Sequence, residues 1–69
     1  MGVIISIDRV ERWQKNNINH ARTYATVDSE THGIVELAGY GDAYKVGDEV
    51  QVLFDDKWNT AKMQKTVHN

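Results

Sequence analysis

Ala21-Arg22-Thr23-Tyr24-Ala25-Thr26-Val27-Asp28 decides the character of the chain: small or β-branched residues at 21, 23, 25 and 27 alternate with larger polar or aromatic ones. A period of two belongs to a strand with one face on a core, since a helix would scatter these residues around its axis. Outward from this stretch the same period recurs. Val3, Ile5 and Ile7 alternate with Ile4, Ser6 and Asp8, and Val50, Val52 and Phe54 alternate with Gln51 and Leu53. Ile34, Val35 and Leu37 form a short apolar run, and Ala61, Met63 and Val67 alternate with Thr60, Lys62, Gln64 and Thr66. Turn chemistry bounds each run, at Asn16-Asn17, Asp28-Ser29, Gly39 to Gly41, Gly47-Asp48 and Asp55-Asp56. Five short strands so spaced predict an all-β fold, a small antiparallel barrel, because an open sheet of this size leaves reactive edges and buries too little surface.

Residues 8–17 admit two readings. Asp8 and Glu11 have the spacing of a helix-capping box, and Val10, Trp13 and Gln14 share a helical face. Only two of those three are apolar, so a long, bent first strand reaching Trp13 is the preferred expectation and a short helical turn the alternative. A bulge near Asp8 accounts for Val10 having the opposite parity from Ile5 and Ile7.

The 69 residues include no cysteine and no proline, so a single domain is expected, with neither disulfides nor a thiolate metal site. With 41% hydrophobic and 26% charged residues the composition is that of an ordered globular domain. The apolar run Val3 to Ile7 stops at Asp8, too short for a membrane span or a signal-peptide core. A cytoplasmic protein with no membrane association is expected.

Residues 44–63, from Tyr44-Lys45-Val46-Gly47-Asp48-Glu49-Val50 through Asp55-Asp56-Lys57-Trp58 to Ala61-Lys62-Met63, resemble the first hairpin of Tudor and related SH3-like barrels. In those families a Val-Gly-Asp entry leads into an apolar strand, an acidic turn, then an aromatic residue and an alanine on the return strand. Gly47 can take positive φ at strand entry, Asp48 can bond nearby backbone, and Asp55-Asp56 can close a turn that brings Phe54 near Trp58. Gly39-Tyr40-Gly41-Asp42 is similar to a second Tudor segment but precedes the hairpin, whereas in Tudor domains it comes after. The resemblance implies an SH3-like barrel, with an OB-like barrel as the alternative, and no particular ligand.

The net charge of −2 conceals segregation: residues 1–22 carry +2, residues 23–56 carry −7 and residues 57–69 carry +3. First and last strands are commonly neighbours in a five-strand barrel, which would merge the two basic segments into one patch beside Trp13 and Trp58. This layout supports three binding readings. An acidic face of Asp42, Asp48, Glu49, Asp55 and Asp56 suits a protein partner and steers encounter. Arg9, Arg12, Trp13, Lys57, Trp58, Lys62 and Lys65 suit single-stranded nucleic acid, where cations track phosphates and rings stack on bases. Tyr40 and Tyr44 suit a small ligand captured at a subunit interface. Protein binding is the leading expectation, in the format of an accessory or inhibitory protein of a phage or mobile element, acting as monomer or homodimer.

Catalysis finds little footing. Asp28, Glu30 and His32 have strand parity for metal ligation, but Ser29 and Gly33 predict a turn there instead. No serine sits in a nucleophile elbow, and Gly39-Tyr40-Gly41 lacks the rest of a phosphate loop. A non-enzymatic module without metal or cofactor is expected.

Overall fold

The computed structural model describes residues 1–55 and 60–66. Five strands form one mixed sheet: β1 (Gly2–Lys15), β2 (Ile18–Ser29), β3 (Gly33–Tyr40), β4 (Glu49–Asp55) and β5 (Thr60–Lys65). The described residues contain no helix, and none is present that is long and apolar enough to cross a membrane. Residues 8–15 are strand because β2 offers them a cross-strand ladder, which the two apolar residues of a helical face could not match.

Asn16 and Asn17 lie in the left-handed region, at φ 53° and 63°, between the paired residues Lys15 and Ile18. Two consecutive positive φ values make the two-residue turn whose twist matches that of the strands it joins, and asparagine tolerates them. Replacing Asn17 by alanine is expected to cost about 1 kcal/mol, while glycine there costs nothing. Thermal unfolding of the two variants checks this.

β1 shifts register against β2 twice, between Ile4 and Ser6 and between Ile7 and Arg9. The second shift is the bulge expected at Asp8. The first corrects the simple alternation of Val3, Ile5 and Ile7. The extra residue at Ile5 turns the strand over, so Ile4 is buried and Ile7 packs against the core while Val3 and Ile5 face out. The Asp8 carboxylate fastens the second bulge, accepting from Ser6 Oγ at 2.7 Å and from Thr26 Oγ1 at 2.7 Å. These hydrogen bonds, Ser6 foremost, hold Asp8 below its ordinary pKa.

β2 keeps its alternation throughout. Thr23, Ala25, Val27 and Ser29 are buried, and the core gathers Ala25 and Val27 with Ile4, Leu37, Tyr44, Val50 and Met63. Buried Thr23 donates to the Gly41 carbonyl at 2.7 Å, so its hydroxyl is satisfied. Ser29 begins the expected turn into β3, its Oγ accepting from the His32 backbone N–H at 3.1 Å. Phe54 is exposed and stacks on His32, with ring centroids 5.7 Å apart.

The strands are hydrogen-bonded in the order β1-β2-β3-β5-β4, and β4 returns to β1 through Gly2↔Val50 and Val3↔Glu49. Two expectations are corrected here. The sheet is not wholly antiparallel, because β3 and β5 meet in parallel at Ala38↔Lys62. Nor do the first and last strands pair: β5 lies between β3 and β4. The segment 41–48 is the reason. It carries the chain across to β1, where Ile4 donates to Asp48 O at 3.0 Å and Gly47 donates to Ile4 O at 2.8 Å. β4 thereby takes the free side of β1, and the β4–β5 hairpin returns into the gap facing β3. Gly47, at φ 95°, and Asp48, whose Oδ2 accepts from the Lys45 N–H at 2.9 Å, shape that entry as the residues foretell.

Candidate functional site

The two-residue turn at Asn16-Asn17 sets Trp13 opposite His20, Glu11 opposite Arg22 and Arg9 opposite Tyr24; on its other side Arg22 lies opposite Tyr40. Since Thr23, Ala25 and Val27 point to the core, residues 20, 22 and 24 point outward with their partners. One outer sheet face therefore carries Arg9, Trp13, His20, Arg22, Tyr24 and Tyr40. Trp13 stacks on His20 at 5.5 Å between centroids and 14° between planes, and His20 meets Tyr40 edge-on at 5.9 Å. His20 Nδ1 and the Tyr40 hydroxyl are hydrogen-bonded at 2.6 Å. Arg22 lies 5.3 Å from the Trp13 ring, and Arg9 lies 4.3 Å from the Tyr24 ring. Glu11 shares the face, 3.8 Å from Arg9.

This face belongs to a hairpin that outruns β3. The last β2–β3 pair is Arg22↔Tyr40, so residues 12–21 project as a two-stranded arm. The arm is braced at its base, where the Gly41 N–H donates to Ala21 O at 2.8 Å and Arg12 meets Asp42 at 3.5 Å. Its rings remain open to solvent, Trp13 being 37% and Tyr40 66% exposed.

A groove adjoins Tyr40. β3 and β5 are paired at Ala38↔Lys62. Between residues 38–40 and 62–65, with Tyr44 and Leu53 completing the walls, lies an open cavity of about 480 Å³. Tyr44 is only 9% exposed, and the Lys65 ammonium sits 5.5 Å from its ring centroid. Burial pushes the Tyr44 phenol above its ordinary pKa, and a hydrogen bond with the Lys65 backbone partly offsets this.

Of the residues expected to bind nucleic acid, Arg9 and Trp13 share the aromatic face, while Arg12 has the opposite parity and braces the arm. Lys62 and Lys65 line the groove, and Lys57 and Trp58 lie outside the described residues, as do Asp56 and Val67. Of the expected acidic face, Asp42 lies beside Arg12 and Glu49 opposite Val3. Asp48 is engaged in the turn before β4, and Asp55 ends that strand opposite Thr60. Tyr40 and Tyr44 point outward and inward respectively, yet both border the groove. Sequence reasoning missed His20, Arg22 and Tyr24 as members of the face. The signal was present: a two-residue Asn-Asn turn fixes the pairing of every residue up to the bulge at Asp8.

Comparisons of the chain with protein-family models, with curated proteins and with solved structures found no match.

Proposed function

We propose that the protein binds single-stranded nucleic acid on the outer face of β1, β2 and β3. The observation that carries this reading is the aromatic row Trp13–His20–Tyr40, exposed at Trp13 and Tyr40, with Arg9 and Arg22 on the same face. Bases stack on the open rings with little regard to sequence, because every base has a π-face, while the guanidinium groups track phosphates. Asp28, Glu30 and Glu49 surround Val3 at the opposite end of the β1–β2 hairpin, where they repel phosphate and confine a strand to the arm end.

The connectivity agrees with this reading. A sheet ordered β1-β2-β3-β5-β4 that returns to β1, with β3 and β5 parallel, resembles an OB-like barrel more than an SH3-like one. OB-like barrels use the β2–β3 face and the loops after β1 and β4 for oligonucleotides and oligosaccharides. That is support by analogy of fold, and the side chains are the stronger ground. Protein binding through Asp42, Asp48, Glu49, Asp55 and Asp56 has less behind it, because Asp42 pairs with Arg12 and Asp48 closes the turn at Lys45.

Tryptophan fluorescence titration with a short oligothymidylate tests the proposal. Binding is expected at low salt and should weaken steeply as salt rises, with a log–log slope of about −0.7 per phosphate contacted. No binding at low salt, or binding indifferent to salt, overturns it.

A further inference from the structure

We propose that the groove between β3 and β5 is a binding site for a single nucleotide, its phosphate held by Lys62 and Lys65 and its base lying against Tyr40, with Tyr44 as the inner wall. The cavity of about 480 Å³ lies within the range of ~300–1,000 Å³ usual for small-molecule sites. The described lining residues include two lysines and no carboxylate. A metal cation would be repelled by the two ammonium groups, whereas an anionic group is attracted by both. A flat apolar body carrying an anionic group meets both demands of the lining.

The walls are held in place rather than loose. Gly39 lacks the side chain that would displace Tyr44, whose ring is buried in the core, so the inner wall is in place before any ligand arrives. Tyr40 borders both the groove and the aromatic face. A strand stacked along Trp13 and Tyr40 can therefore set its next nucleotide in the groove without a break. The choice of nucleotide among flat anions rests on the proposed nucleic-acid function; the cationic groove with its tyrosine walls does not.

The test is a titration of the isotope-labelled full chain with thymidine monophosphate, thymidine and inorganic phosphate, monitored by amide NMR shifts. The nucleotide is expected to shift Gly39, Met63, Gln64 and Lys65, and to bind at least about tenfold more tightly than either fragment. Lys62→Gln and Lys65→Gln should each weaken it by about tenfold, with thermal unfolding unchanged. Shifts confined to Trp13 and His20, equal binding of inorganic phosphate, or indifference to both lysine changes would overturn the assignment. Groove binding by the mononucleotide without oligothymidylate binding would retain this site and remove the function proposed above. Oligothymidylate binding with a silent groove would do the reverse.

Discussion

Replacing Gly39 by alanine is expected to lower stability by about 1–3 kcal/mol, the usual range for overpacking a filled interior. A Cβ at that position would stand 2.6 Å from the Tyr44 hydroxyl oxygen, 2.7 Å from its Cζ and 2.8 Å from Met63 Cγ. Neither neighbour can withdraw cheaply. Tyr44 and Met63 are both buried in the core, at 9% and 3% exposure. A domain of this size loses about 4–8 °C in Tm per kcal/mol, so thermal unfolding resolves the effect. Tyr44→Leu in the same chain should recover part of the loss, because the two residues are in contact and their effects are not additive. An unchanged Tm for Gly39→Ala would mean that Tyr44 does not pack over β3, and the inner wall of the groove would go with it.

The fold was legible wherever pairing is local. β2 reads correctly because its own alternation is unbroken and it buries one face from Thr23 to Ser29, so parity in the sequence is parity in space. β1 does not, because each bulge reverses the parity of the residues beyond it, and Ile5 carries no composition that marks it as the extra residue. The ladders β1–β2, β2–β3 and β4–β5 join consecutive strands and can be inferred from the turns between them. The ladders β1–β4 and β3–β5 depend on the path of residues 41–48, where the local pattern says only that the chain turns. The expectation of paired end strands, and the merged basic patch built on it, failed at that step.

The site divides along the same line. Arg9 and Trp13 could be named from charge and aromaticity alone, whereas His20, Arg22 and Tyr24 join them only once the hairpin register is applied. Pairing of the end strands would have put Lys62 and Lys65 beside β1; β5 instead brings them to β3, beside Tyr40. Their proximity to an aromatic ring survives the change of neighbouring strand. Among the acidic residues, Asp42 pairs with Arg12 and Asp48 serves the turn at Lys45.

Trp13→Ala is expected to weaken oligothymidylate binding by about 5- to 150-fold, the equivalent of the ~1–3 kcal/mol that one stacked base contributes. Tyr40→Ala should fall in the same range. Both rings also help hold the arm, Trp13 by stacking on His20 and Tyr40 by its hydrogen bond to His20, so truncation alone does not separate contact from bracing. Tyr40→Phe does. It removes the 2.6 Å hydrogen bond and keeps the ring, so it should bind within about twofold of the unaltered protein if bases stack there. Arg12→Ala provides the complementary control, since it breaks the 3.5 Å contact with Asp42 and leaves every ring in place. Loss of binding in Tyr40→Phe and Arg12→Ala as deep as in the alanine variants of the two rings would make the row a brace and nothing more. Arg22→Gln should then distinguish the remaining cases, because a guanidinium on phosphate lowers the salt slope by about 0.7 when removed, whereas one that merely covers Trp13 leaves the slope alone.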